Sequence, residues 1–279
     1  MNRHTELTSL LRGLRLQAMA DCVSEVALKA ARANLSHEAF LYELARLEQE
    51  QRTQRRVERL RRESGLPREK TFATLELASF SPLVRQQVER LRRGEFVKEA
   101  VNVVAVGPPG VGESHVLASV AHTLIEQGMS VLWSSTAQLM QRLLAAKRDL
   151  RLPQELARLD RYACLVLDDI GYVQHDQDEM EVLFTLLSER YERRSVMLST
   201  NLVFSEWTRM YLSIEKWLSR TLILVANPLD CQVAPWYRRA NGESFVCAFC
   251  SPASQRRRRT MFITAAAIRC AKCVFAWPT

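Results

Sequence analysis

Apolar residues over the first sixty positions recur at helical rather than strand spacing. From Leu7 to Leu35 they fall at Leu10, Leu11, Leu14, Met19, Val23, Val26 and Leu28, a mostly helical spacing, which predicts helix. Ser36 precedes a second stripe, Phe40, Leu41, Leu44 and Leu47, and is the expected N-cap of a long helix. That helix runs into an arginine-rich segment and ends at Gly65-Leu66-Pro67. The segment from Lys70 to Phe80 carries Phe72, Leu75, Leu77 and Phe80 and predicts a linker packed onto the next domain, before a short helix from Pro82 to Arg93.

The period changes at Val101. Val101 to Val106 is a continuous Val-rich run bounded by Gly and Pro, as in a strand buried on both faces. A helix to about Gln127, stopped by Gly128, follows a Gly-rich loop. Strand patterns then occupy Met129–Trp133, Tyr162–Leu167 and Ser195–Thr200, separated by helical patterns over Ala137–Lys147 and Asp178–Arg193. This alternation predicts parallel βαβ units, hence an α/β, doubly wound parallel sheet preceded by a small all-helical domain. The expected domains are 1–75 (helical), 76–210 (α/β) and 211–279 (an atypical basic tail), with the first boundary between residues 70 and 80.

At 279 residues and 47% hydrophobic, the chain can form one sizeable core plus a smaller unit. It has no run of 18 apolar residues and its N-terminus lacks a secretory pattern, so a cytoplasmic protein without a membrane span is expected. The net charge of +8 divides unevenly: +5 over residues 1–100, −4 over 101–210 and +7 over 211–279. Basic flanks around an acidic centre point to a polyanionic partner. Between Arg52 and Lys70 there are eight basic residues against three acidic ones, more than solubility requires. That stretch is a candidate surface for DNA backbone, without sequence readout.

Seven cysteines without a secretory context argue against a disulfide framework; Cys22 and Cys164 sit in apolar patterns as core residues. Cys247, Cys250, Cys270 and Cys273 form C-x₂-C-x₁₉-C-x₂-C, within the spacing of a zinc ribbon. Neither pair is followed by the Gly that frees a knuckle turn, and the favoured reading is accidental cysteines.

The candidate chemistry lies in the loop after Val106. Gly107, Pro108, Pro109, Gly110, Val111 and Gly112 lead into a helix through Glu113, Ser114 and His115, and together form the candidate nucleotide-binding set. Strand, Gly-rich loop and helix start are the setting of a Walker A loop, whose backbone N–H groups and helix N-terminus cradle phosphate. Glu113 stands where that motif has Lys. At ~4 Å and an effective dielectric of ~20 a unit charge pair is worth about 4 kcal/mol, so reversing the sign opposes triphosphate binding by several kcal/mol. Leu165-Val166-Leu167-Asp168-Asp169 is a buried strand ending in two carboxylates, a Walker B pattern. Asp168 with Ser114 would ligate Mg²⁺, and Asp169 would act catalytically by positioning water. Asn201 ends the next strand pattern, where an amide can sense a γ-phosphate.

In these blocks the chain resembles the IstB-type ATP-binding proteins, AAA+ helpers of insertion-sequence transposases and relatives of the DnaC helicase loader and, more distantly, of DnaA. The matching stretches include Leu14–Met19, Leu66–Thr71, Gly107–Gly112, Leu167–Tyr172, Tyr191–Ser195 and Thr200–Trp207. The resemblance implies a P-loop AAA+ fold, ATP with Mg²⁺ as cofactors, homo-oligomers assembled on DNA with ATP, bending of target DNA, and a transposase partner. Two departures stand out: Glu113, and a tail in which Thr264–Arg269 only partly echoes the family's terminal helix. The expected function is therefore an ATP-binding transposition helper impaired in hydrolysis. The alternatives are a non-hydrolysing DNA-binding or interaction protein, with or without a zinc-bound tail, and a helicase-loader-like replication factor.

Overall fold

The computed structural model describes residues 3–107, 110–170, 177–201 and 220–225. The chain divides into two compact units, Met1–Arg62 and Glu63–Thr279.

The first unit is helical. The stretch read as one helical run is two helices, α1 (Arg3–Gly13) and α2 (Gln17–Arg32). They are separated at Arg15, whose φ of 61° is left-handed and cannot continue a helix. In α3 (His37–Glu63), Ser36 Oγ accepts from Ala39 N at 3.2 Å, the expected N-cap. Val23, Val26 and Leu44 form the buried centre of the unit, with Cys22, Phe40 and Leu47 packed around them. Glu48 on α3 reaches the opening of α2, where its Oε2 accepts from Ala18 N (2.8 Å) and Met19 N (3.2 Å). Arg52 Nε donates to Glu48 Oε1 at 2.7 Å, and the Arg52 guanidinium also donates to Arg15 O at 2.8 Å. One carboxylate thus satisfies two N–H groups that a helix start leaves without partners.

The second unit begins earlier than the expected boundary between 70 and 80, because residues just after α3 bond to the sheet and its helices. Trp133 N donates to Ser64 O at 2.7 Å. Gly65 has a φ of +68°, and a Cβ there would sit 3.2 Å from Trp133 O. His122 Nε2 and His115 Nε2 donate to Pro67 O (3.0 Å) and Thr71 O (3.1 Å). A short 3₁₀ turn at Leu77–Ser79 then leads to α4 (Pro82–Arg92), capped by Ser81.

After α5 (Glu95–Lys98), the chain forms β1 (Asn102–Val106), α6 (Glu113–Glu126), β2 (Val131–Ser135), α7 (Thr136–Arg148) and α8 (Leu152–Leu159). It continues through β3 (Cys164–Asp168), α9 (Gln177–Arg190), β4 (Ser195–Thr200) and β5 (Thr221–Val225). The sheet order is β2-β3-β4-β1-β5, and every pairing is parallel. The helices α5 and α8 and the strand β5 were not anticipated. Helix α8 is short, and β5 lies in the segment expected to belong to the tail. The β5 strand pairs with β1 along its whole length, from Asn102 opposite Thr221 to Val106 opposite Val225, so the sheet extends past residue 210.

Both faces of the sheet are covered, which is why its strands read as unbroken apolar runs. On one face Leu139, Met140 and Leu143 of α7, Leu159 of α8 and Val182, Leu183, Leu186 and Leu187 of α9 pack with Val104, Val106, Leu165, Leu167, Val196 and Leu198. Helix α6 packs on β1, β3 and β4, with α4 against it. Each such Leu or Val contributes about 1.5–3 kcal/mol on full burial. Cys164 is wholly buried, and burial pushes its thiol up to about 12, the behaviour of a core residue. Among the described residues no helix is long and apolar enough to cross a membrane. The four tail cysteines lie outside the described residues.

Removing the Glu48 carboxylate leaves the buried N–H of Ala18 and the partly buried N–H of Met19 without it, at about 1–3 kcal/mol. Burial resists its ionisation, but Arg52 and the N–H groups of Met19 and Ala18 outweigh that, holding its carboxyl below the ordinary 4.5. The contribution of its charge is therefore full above pH 4.5 and lost as pH falls through the lower folded value. Thermal unfolding followed by circular dichroism should show Glu48→Ala clearly destabilised at pH 7, with the gap to the natural protein narrowing at pH 3.

Candidate nucleotide-binding site

At the carboxyl ends of β1, β3 and β4 lies a cleft of about 210 Å³ lined by Gly107, Gly110, Glu113, Ser114, Asp168, Asp169, Ser199, Thr200 and Asn201. Its place follows from topology. The chain leaves β1 for the far edge at β2, returns through β3 and β4, and crosses β1 to reach β5. Open parallel sheets bind ligands where the strand order reverses in this way.

Gly110 and Gly112 have φ of +89° and +106°, backbone that L side chains rarely adopt, and Gly112 is the N-cap of α6. This is the geometric reason for glycine at both positions. Ser114, on the first turn of α6, donates from its Oγ to Asp168 Oδ1 at 2.5 Å, tying the loop to the end of β3. Ser199 donates to the same oxygen at 2.6 Å and accepts from Asp169 N at 2.8 Å. Thr136 Oγ1, wholly buried, donates to Asp168 O at 3.0 Å. Asn201 follows β4, and its Oδ1 is buried with no hydrogen-bond partner among the described residues.

The sequence-expected residues are only partly gathered. Gly107, Gly110, Glu113, Ser114, Asp168, Asp169 and Asn201 line the cleft. Val111 is exposed and, with Gly112, is not among the lining residues, while Pro108 and Pro109 lie outside the described residues. His115 does not line the cleft; its Nε2 is directed to Thr71 O and Thr74 Oγ1, both at 3.1 Å. Three residues after Gly112, the helical turn carries its side chain onto the linker. Sequence reasoning missed Ser199, Thr200 and Thr136.

The hydroxyl of Ser114 and carboxylate of Asp168 are hard oxygen donors side by side, a set that suits Mg²⁺. The glycine backbone and the N-terminus of α6 suit phosphate. Glu113 does not. It is half-buried and its Oε1 is enclosed without a partner. Burial pushes its carboxyl above the usual carboxylate range. The N–H groups of Glu113 and Gly112 pull the other way, and the charges of Asp168 and Asp169 add to the rise. Among the described lining residues there are three carboxylates and no Lys or Arg. The buried Arg190 is no substitute: it donates to Leu159 O (3.0 Å), Tyr162 O (2.9 Å) and Ser195 O (3.1 Å), and Ser195 opens β4 at the end away from the cleft.

A parallel sheet of this order with a Gly-rich loop between β1 and α6 and carboxylates ending β3 defines a P-loop nucleotide-binding protein of the AAA+ type. The chain belongs to the IstB-like ATP binding protein family, which matches residues 9–222. It is 37% identical over 203 residues to an insertion sequence ATP-binding protein of Sinorhizobium fredii, covering 72% of this chain and 68% of that protein. It is 32% identical over 207 residues to an IS21 ATP-binding protein of Pseudomonas aeruginosa, covering 74% and 78%. Its fold is similar to that of AMPPCP-bound DnaA from Aquifex aeolicus, with a TM-score of 0.50 at 15% identity over 59% of this chain and 52% of that one.

A carboxyl raised above the ordinary 4.5 on folding costs stability as pH climbs through that value, because the unfolded chain ionises first, and the deficit persists at neutral pH. Glu113→Gln should therefore melt higher than the natural protein at pH 7, by roughly 2–4 °C for each kcal/mol relieved, with the difference vanishing toward pH 3. Calorimetry at the two pH values checks it.

Proposed function

We propose that this chain is a DNA-associated, ATP-binding helper of an insertion-sequence transposase, with triphosphate binding weakened and hydrolysis impaired by Glu113. The observation that carries the reading is the 2.5 Å bond from Ser114 to Asp168, which joins phosphate loop and strand-end carboxylate in one cleft. The names of the relatives, insertion sequence ATP-binding proteins, support the biological setting. In this reading the backbone from Gly107 to Gly112 holds phosphates, and Ser114 and Asp168 hold Mg²⁺. Asp169 faces the water and Asn201 the terminal phosphate. Bound magnesium would supply neutralising charge to phosphate oxygens. Glu113 opposes that arrangement by adding a third negative charge where the ligand brings its own.

The DNA surface in this reading is α3. Arg55, Arg59 and Arg62 are exposed and spaced four and three residues apart, so they share one helical face. Such a face binds phosphates and carries no base readout. Partners follow from the same reading: further copies of the chain assembled on DNA with ATP, and a cognate transposase. Glu113 favours a second reading, in which the fold is kept as a scaffold and the protein binds DNA without nucleotide control; its cytoplasmic setting would be the same.

Fluorescence anisotropy with a labelled duplex across a salt series separates the two. Replacing Arg55, Arg59 and Arg62 by Ala should weaken binding and lower the salt slope by about one for each phosphate no longer neutralised. Tighter DNA binding with Mg²⁺-ATP supports the helper, indifference to ATP supports the scaffold, and no DNA binding at low salt contradicts both.

A further inference from the structure

Ser199 uses one hydroxyl for two tasks that the cleft needs together. Its proton goes to Asp168 Oδ1 (2.6 Å) and its lone pair takes the N–H of Asp169 (2.8 Å). Ser199 is 4% exposed, so little solvent reaches the hydroxyl to replace either bond. Asp169 has a φ of 61°, in the left-handed region that non-glycine residues enter uncommonly and Asp more readily than most. The juxtaposition comes from the sheet: Leu167 pairs with Leu198, so the next residue of each parallel strand, Asp168 and Ser199, meet at the cleft.

We propose that Ser199 is a positioning residue for the magnesium site, fixing the carboxylate of Asp168 and the backbone turn that aims Asp169. It works through those two residues, to which its hydroxyl is bonded. The inference rests on the reading of the cleft as a Mg²⁺-nucleotide site.

The test uses the full chain carrying Glu113→Lys, with binding of a fluorescent ATP analogue followed as Mg²⁺ is titrated and again in EDTA. Adding Ser199→Ala should raise the Mg²⁺ concentration for half-maximal binding about 10-fold or more, as removing a ligand-orienting partner does, with a much smaller change in EDTA. Ser199→Thr keeps the hydroxyl and should restore the Mg²⁺ requirement. If its extra methyl is not accommodated, Ser199→Cys, a weak donor of similar size, should fall between serine and alanine. An unchanged Mg²⁺ requirement in Ser199→Ala, or an equal loss of affinity with and without metal, overturns the proposal. If Glu113→Lys alone melts cooperatively yet binds no analogue, the reading of the cleft fails before Ser199 is touched, and the role assigned here falls with it.

Discussion

A single carboxylate oxygen, Asp168 Oδ1, holds the cleft together. It accepts from Ser114 on the first turn of α6 and from Ser199 near the end of β4, while its own residue ends β3. Three segments distant in sequence are brought within hydrogen-bond reach at that atom. The sheet order makes this possible, because β4 lies between β1, which delivers the loop, and β3, which delivers the carboxylate. The apolar layers on both faces hold the strand ends in register, so the geometry rests on a packed core and not on the loop.

Within that frame Glu113 creates a conflict between backbone and charge. The backbone at Gly110 and Gly112 has the left-handed turns of an anion cradle, and α6 points its N-terminus at it. The one side chain that the template reserves for a cation is instead an acid, in a cleft already holding Asp168 and Asp169. Burial and those neighbours disfavour its charge, so the site tolerates Glu113 at a cost to stability. The fold class and the family membership are untouched by this, since they rest on the sheet, the core and the loop's path.

Much of the fold was legible because periodicity reports burial. The runs at Val101–Val106 and Ser195–Thr200 read as buried strands, and Ser36 and Gly128 marked a helix start and a helix end. The break at Arg15 was not read, although Gly13 stands two residues before it, because the apolar residues run on across it. Nor was β5 read: Thr221–Val225 is an apolar run like that of β1, but it falls in the segment assigned to the tail, and its place in the sheet shows only in its pairing with β1. In the site, motif residues such as Ser114 and Asp168 were readable because their chemistry is tied to local context. Ser199 and Thr136 were not, because their roles depend on which strands are neighbours, and sequence pattern does not state strand order. The direction of the His115 side chain was not legible for a related reason: it stands beside Ser114 in sequence, and helix geometry turns it to the linker.

The most direct measurement is equilibrium binding of a fluorescent ATP analogue with Mg²⁺ to the natural protein and to its Glu113→Lys variant. A charge reversal worth several kcal/mol, discounted for the half-exposed position, predicts that the variant binds at least about 10-fold more tightly. Equal affinity for the two proteins would contradict the account, because Glu113 would then have no hold on the phosphates.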